Sequence, residues 1–337
     1  MTLTQLRAFM EVAATGSVHE AAARLMVSQP AVSAAVASLQ RHLGVALVVR
    51  EGRGLKLTPA GRVFAGYARQ ALGLLEEGRA AAAGQLHPER GRVRLAAVTT
   101  AGEHVLPPFL AAFRARYPQA EVALEVGNRA RVWELLSYRE VDLVIGGRPP
   151  ASRQFTTLAT RANLLVIVAA PTGDLHRASS VGRHQERREP PMRQGPGEPP
   201  TRDVAVEELA AQAWLMREPG SGTRGTAEEL FEDLGISPPT LTLGSNGAIR
   251  ESVRVGLGIT LISRDAVARE LERGTLEEWC APGLPLPREW HVASWAGEDL
   301  PPTAALFLST LITPDPSLDE LEAAPRFRLR PPTAASA

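Results

Sequence analysis

The 337-residue sequence contains one cysteine, one lysine and three tyrosines, and it has no long apolar run. Cys280 alone cannot close an internal disulfide or build a multi-thiolate zinc site. That excludes a disulfide-stapled secreted scaffold and a zinc finger, and it points to a reducing compartment. The most apolar run, 164–170, is far shorter than the roughly 18 residues a bilayer span needs, and it reads as a buried strand. The first ten residues lack the apolar core of a secretory signal, so the chain is expected to be cytoplasmic, with no membrane partner. Catalytic signals are equally sparse. No Gly-Lys-Ser/Thr phosphate loop occurs, Gly220-Ser221-Gly222 lacks the spacing of a nucleophile elbow, and the seven histidines show no paired metal spacing. No catalytic residue, metal or cofactor is therefore expected, and an enzyme in the α/β part is the weaker reading.

The 37 basic and 37 acidic residues cancel, yet they are unevenly placed. Up to Arg69, eight Lys/Arg face three Glu, a balance of +5, which leaves −5 for the remainder. A basic front on a mildly acidic body suits docking of one end on a polyanion. Four regions separate by pattern: 1–61, dense in short helical signals; 62–88, a long Ala/Leu/Arg/Glu helix; 92–312, where strand-like runs alternate with amphipathic helices as in an α/β domain; and 313–337, a Pro/Ala/Arg tail expected to be disordered. Within the third region 176–202 is rich in Pro, Arg and Glu, has almost nothing to bury, and is expected to be a disordered insertion.

At the front, Leu3, Leu6, Phe9, Met10 and Ala13 recur at helical spacing, predicting a helix over 4–14 closed by Gly16. Ser17 caps a second helix ending at Leu25, with Glu20 three residues on. Met26 and Val27 turn the chain, Ser28 caps a third helix over 29–43, and Pro30 sits in its first turn. Two short helices so joined, the second with a polar leading edge, are the signature of a helix-turn-helix. Gln29 and Ser33 lie where such a helix meets base edges, with Ser38 and Arg41 further along the same face. Residues 47–49 and 55–57 predict a β-hairpin wing that offers Arg50, Arg53 and Lys56 to phosphates. Thr58 and Pro59 then start the long helix. On it Phe64, Ala68, Ala71 and Leu75 form a coiled-coil-like seam expected to dimerise, because Gly66, Gly73 and Gly78 weaken the helix in isolation.

Taken in order, Leu6, Phe9, Ala22-Ala23, Leu25, Ser28-Gln29-Pro30-Ala31-Val32-Ser33, Leu39, Leu43-Gly44, Leu47, Arg50 and Leu57-Thr58-Pro59-Ala60-Gly61 closely resemble the LysR-type transcriptional regulators. The resemblance implies a DNA-binding set of Ser28, Gln29, Pro30, Ser33, Arg50, Arg53, Lys56 and Thr58, and a linker helix that pairs two subunits. Gln40, where the family usually has Glu, and Val48, where it usually has Phe, depart from the pattern. Local repacking and retained DNA binding are expected there.

In the α/β region, strands over 93–98, 121–126 and 143–145 alternate with helices over 103–117 and 130–138. The pattern repeats at 214–216, 222–234, 241–243, 248–255, 259–262 and 264–273, which implies parallel pairing and ligand sites at the carboxyl ends of strands. Three strand-to-helix junctions carry unusual chemistry: Thr99-Thr100; the run 217–224 with Glu218, Ser221, Gly222, Thr223 and Arg224; and Ser245-Asn246. Each sets polar groups beside the positive end of a helix, and Arg224, Arg148 or Arg202 could grip phosphate, sulfate or carboxylate.

The strings 97–118, 217–224, 244–246 and 256–259 look like the LysR effector domain, closest to the branch containing CbbR, CysL and YeiE. Resemblance implies a winged helix-turn-helix, a linker helix and a two-lobed effector domain of the type 2 periplasmic-binding-protein kind. Lobe 1 is expected over 92–166 and 268–312 and lobe 2 over 167–267. It further implies promoter DNA, a small anionic effector, self-association as dimer or tetramer and RNA polymerase as partners. Carbon-fixation genes are the expected target, with sulfur assimilation and sulfite sensing as the alternative.

Overall fold

A computed structural model describes residues 1–52, 54–84, 86–171, 201–313 and 326–330. Helices α1 (Leu3–Thr15), α2 (Val18–Leu25) and α3 (Gln29–Leu43) are followed by the hairpin β1 (Val48–Glu51) and β2 (Gly54–Leu57) and the long helix α4 (Pro59–Gly84). Local chemistry sets each boundary. Ser17 and Ser28 accept the N–H groups of Glu20 and Ala31 as N-caps, and Gly16 and Gly44 end α1 and α3 in the left-handed conformation at φ 65° and 69°. Phe9, Val12, Val36, Leu39 and Leu47 pack into one core with Ala21 and Ala22, whose small size lets α2 approach α1 and α3.

Helix α4 contributes to that core. Ala68 is buried in it and Phe64 packs on Phe9 at 5.6 Å between ring centroids. Phe64 and Ala68 of the expected seam face the head of their own chain, so the 3-4 spacing there meets an intramolecular cluster. Ala71 and Leu75, beyond the head, stay exposed, and the uncovered apolar side chains beside them are Val63, Tyr67 and Leu74. Another flank of α4 lies on the effector domain. Arg69 pairs with Glu140 and with Glu134, Arg139 reaches back to Glu77, and Gly73 passes so close to Tyr138 that a Cβ would sit 2.2 Å from its carbonyl oxygen.

In the effector domain β3 (Arg92–Val98), β4 (Glu121–Gly127) and β5 (Leu143–Gly146) pair in parallel in the order β4-β3-β5. Helices α5 (Leu106–Arg116) and α6 (Arg129–Ser137) pack on that sheet, and a π-helical turn, Ala101–Val105, joins β3 to α5. Strand β6 (Phe155–Ala169) runs from lobe 1 into lobe 2. In lobe 1 it pairs with β12 (Leu286–Trp295), which itself lies antiparallel to β5. In lobe 2 it pairs with β10 (Thr260–Ser263) and β11 (Glu277–Cys280).

Lobe 2 adds β7 (Thr201–Asp203), α7 (Val206–Ala211), β8 (Trp214–Met216), α8 (Gly222–Leu234), β9 (Thr240–Thr242), α9 (Asn246–Arg254) and α10 (Arg264–Glu272). Helix α11 (Pro302–Ile312) closes lobe 1. The return to lobe 1 comes later than expected: Val267, Leu271, Leu276 and Trp279 pack with β8 and α9 or β10 of lobe 2, so α10 and β11 belong there rather than to lobe 1.

Two segments expected to be disordered are partly structured. Thr201 and Arg202 begin β7, which pairs in parallel with β11; Arg202 stacks on Trp279 and pairs with Glu208 at 2.8 Å. In the expected tail, Phe327 is buried against Phe109, with centroids 5.9 Å apart, and β13 (Arg328–Leu329) pairs with β6. A lone aromatic anchor and two ladder residues hold this piece, a signal too short to stand out in a Pro/Arg-rich sequence. The rest of the expected insertion, 176–200, and of the tail, 314–325 and 331–337, lies outside the described residues.

Candidate functional site

On the head, α3 presents Gln29, Pro30 and Ser33 to solvent at its amino end. Gln29 Nε2 lies 2.8 Å from His19 Nδ1, which ties the leading edge of α3 to α2 and limits the rotamers of Gln29. The oxygen of Ser28 caps the helix, so Ser28 positions Gln29. Ser38 is not free on that face, because it accepts a hydrogen bond from Gln5 Nε2 at 3.0 Å.

In the wing Arg50 is exposed and Lys56 pairs with Glu51 at 2.8 Å; Arg53 lies outside the described residues. The Thr58 hydroxyl accepts from Gly61 N–H at 2.8 Å and donates to the Ala46 carbonyl at 2.8 Å, so it holds the wing to the start of α4. Gln40 supplies what its position needs: its amide oxygen accepts from the N–H groups of Leu47 and Val48, at 2.7 and 3.1 Å.

Between the lobes lies a cleft of about 1120 Å³. Thr99 and Thr100 reach it from the end of β3, Arg148 from beyond β5, and Ser221, Gly222, Thr223 and Arg224 from the start of α8. Ser221 stands at the N-cap of α8 without using its hydroxyl as a cap, so the positive end of that helix faces the cavity. The expected set divides here. Glu218 lies behind the wall and grips Arg217 through two hydrogen bonds, at 2.7 and 2.9 Å. Burial works to raise its carboxyl, yet the Arg217 bonds hold it below the usual carboxylate range. Ser245 is exposed and caps α9, away from the cleft. Asn246 is buried beneath the cleft floor, and Arg202, held at Glu208 and Trp279, takes no part.

Long-range packing brings in residues the sequence did not flag: Asn128, Arg129, Asn163, Ser263, Arg288 and His291. Arg129 opens α6 beside α8, and a Cβ on Gly222 would lie 3.8 Å from its Cδ. Burial alone depresses the Arg129 pKa, and neither Arg129 nor Arg148 has an acidic partner among the described residues. The other cleft arginines are engaged: Arg217 with Glu218, Arg224 with Glu228 at 2.8 Å, and Arg288 with Glu229 at 3.7 Å. His291 is buried, and that burial pushes its pKa down; Glu289 opposes the shift, while Arg330, Arg148 and Arg129 reinforce it. The cleft therefore carries uncompensated positive charge, a helix amino terminus and several hydroxyls, a donor-rich set complementary to an anion.

A winged helix-turn-helix joined to a two-lobed ligand cleft defines a DNA-binding regulator with a small-molecule domain. Residues 3–62 match the bacterial regulatory helix-turn-helix protein, lysR family, and residues 87–313 match the LysR substrate binding domain. The chain belongs to the LysR family of transcriptional regulators. It is 33% identical over 314 residues to the HTH-type transcriptional regulator CbbR of Rhodospirillum rubrum, covering 92% of this chain and 95% of that one. It is 36% identical over 290 residues to the regulator YeiE of Escherichia coli, covering 86% and 88%.

Among solved structures, full-length OxyR of Pseudomonas aeruginosa has a TM-score of 0.65 at 22% identity and covers 93% of this chain and 95% of its own. The regulatory domain of Synechocystis CcmR in complex with 2-PG has a TM-score of 0.52 at 29% identity and covers 66% of this chain and 99% of its own. The curated relatives are regulators rather than enzymes. Among the described residues no helix is long and apolar enough to cross a membrane.

Proposed function

We propose that this regulator acts in the cytoplasm on carbon-fixation promoters and is switched by a small phosphorylated anion held between its lobes. Gln29 and Ser33 read base edges in the major groove, Arg50 and Lys56 meet phosphates, and two chains associate through the exposed stripe of α4 to place paired heads on one operator. The head set of Ser28, Pro30 and Thr58 orients these groups through caps and turns. Contact with RNA polymerase completes activation. Anion binding changes lobe closure, and because α4 rests on lobe 1 through Arg69 and Gly73, closure is relayed to the spacing of the heads. Such relay requires different anion affinity in the two arrangements.

One observation carries the effector reading: Arg129 and Arg148, without acidic partners among the described residues, share a cleft with the amino end of α8. Likeness to CbbR and to the CcmR domain holding 2-PG favours a phosphorylated metabolite. A cleft of about 1120 Å³ also exceeds what a bare sulfur oxyanion fills. Calorimetric titration of the full chain with 2-PG, with sulfite as a second ligand, tests it. Binding of 2-PG that is lost in Arg129→Ala and accompanied by an altered operator footprint is expected; no heat and no footprint change with any anion overturns the effector half.

The DNA half has its own test. Gln29→Ala or Ser33→Ala loses discrimination between sites, whereas Arg50→Ala weakens binding to all sequences and lowers the salt slope by about 1. Equal loss on every sequence from Gln29→Ala contradicts base reading by that residue.

A further inference from the structure

Beneath the cleft, Asn246 opens α9 with only 2% of its surface exposed, and its amide joins the two lobes. Nδ2 donates to Thr100 Oγ1 of lobe 1 at 2.9 Å, and Oδ1 accepts from Arg217 Nη1 of lobe 2 at 2.6 Å. Chemistry fixes the amide in this orientation. A guanidinium carries only donors, so the amide oxygen must face Arg217 and the amide nitrogen must face Thr100. Arg217 cannot swing away, because Glu218 holds its Nε and Nη2.

Thr100 is consequently committed as an acceptor toward Asn246. A hydroxyl has one proton, and no acceptor for that proton is recorded among the described residues, while Thr100 lines the cleft. We propose that Asn246 is a polarity clasp: by presenting an N–H to Thr100 it makes the Thr100 hydroxyl a donor into the cleft, so that this subsite prefers an unprotonated oxyanion oxygen over a protonated one. The proposal rests on the reading of the cleft as an anion site and adds which form of the anion it selects. Sulfate, or a fully ionised phosphate ester, presents only acceptors; a P–OH group turned toward Thr100 sets donor against donor.

Asn246→Asp keeps the shape and the link to Arg217 but turns an oxygen toward Thr100. The hydroxyl proton then goes to the carboxylate, and the lone pairs of Thr100 face the cleft. Calorimetric titration of the full chain and of Asn246→Asp with sulfate and with inorganic phosphate, at mildly alkaline pH where both are dianions but phosphate keeps one proton and sulfate has none, reads the difference. Asn246→Asp is expected to lower sulfate affinity about tenfold or more while phosphate changes less, so the sulfate-to-phosphate ratio falls. Thr100→Val, which can neither donate nor accept, is expected to weaken sulfate more than phosphate and so to lower the ratio too, though less than Asn246→Asp, which replaces the donor by an acceptor. A parent chain that binds neither anion overturns the anion reading of the cleft. A parent that binds, with an unchanged ratio in a folded Asn246→Asp, overturns the clasp alone. Should Asn246→Asp fail to fold, undiminished sulfate binding by Thr100→Val overturns it.

Discussion

Gln40 and Leu47 are joined by a 2.7 Å hydrogen bond from a buried backbone N–H to a side-chain amide oxygen, and this bond sets where the wing leaves the third helix. The same oxygen takes the Val48 N–H, so one neutral acceptor satisfies two donors. An acidic residue would satisfy them too, which explains why Gln can stand here without rearranging the head. Gln40→Ala leaves both donors unsatisfied and is expected to destabilise the head by about 1–3 kcal/mol. Hydrogen exchange at the Leu47 and Val48 amides should accelerate, while Gln40→Glu keeps their protection. Unchanged exchange in Gln40→Ala would show that the wing is held by other contacts.

The linker makes a second prediction from a contrast of glycines. A Cβ at Gly73 would meet the Tyr138 carbonyl at 2.2 Å, whereas one at Gly78 meets nothing within 4 Å. Gly73→Ala must push α4 off lobe 1 and weaken the Arg69 pairs to Glu134 and Glu140. Gly78→Ala gains helix propensity, worth up to about 1 kcal/mol. Thermal unfolding is expected to move down for the first and up for the second, and solution scattering should show a wider separation of head and body only for Gly73→Ala. A compact Gly73→Ala chain of unchanged stability would contradict the docking of α4.

Much of the front was legible because its signals are local. Ser17, Ser28, Gly16 and Gly44 act within a few residues of themselves, so caps and turns could be placed from sequence alone. Phe64 and Ala68 show where periodicity stops: it reports that a face is apolar, and here that face meets Phe9 of the same chain. Thr99, Thr100 and the start of α8 were readable as a polar junction set. Arg129 and His291 were not, since only the packing of α6 and β12 brings them to the cleft. The sequence marks Asn246 by its place at a helix start, yet its side chain bonds Thr100, 146 residues away. Charge alone groups Arg202 with the pocket, although Trp279 and Glu208 hold it elsewhere.

Two histidines, His291 buried and His104 half-buried, predict the pH response. Burial pushes His104 down, with Arg250 reinforcing and Glu103, Glu270 and Asp265 opposing; burial likewise leads the depression of His291. Each favours the neutral ring in the folded chain, so its folded pKa lies below the unfolded value of about 6.5. Between the two values the unfolded chain binds more protons. The stability from these residues is therefore complete above about pH 6.5 and is lost as pH falls through that point toward the folded pKa. Thermal unfolding should drop on acidification, and His104→Gln with His291→Gln should flatten that limb. A bound anion raises the pKa of His291, so phosphate binding should take up protons in this range, measurable by calorimetry in buffers of different ionisation heat.

The exposed stripe of α4 leads to the last prediction. Val63, Tyr67 and Leu74 are 65%, 69% and 51% exposed, at steps of four and seven that place them along one flank of a single helix, and Leu75, 52% exposed, lies on the adjoining face. Their neighbours Phe64 and Ala68 are covered by the head. Apolar side chains so aligned are costly in water and suit a second copy of the same helix. Tyr67→Asp with Leu74→Glu should convert the associated species to monomer in sedimentation velocity without lowering the unfolding temperature of the head. Ala68→Asp should do the reverse: a charge buried in the head without a partner costs about 3 kcal/mol or more, so the head unfolds before association is affected. If Tyr67→Asp with Leu74→Glu leaves the sedimenting species unchanged, subunits meet through another surface and the paired heads must be spaced by the effector domains.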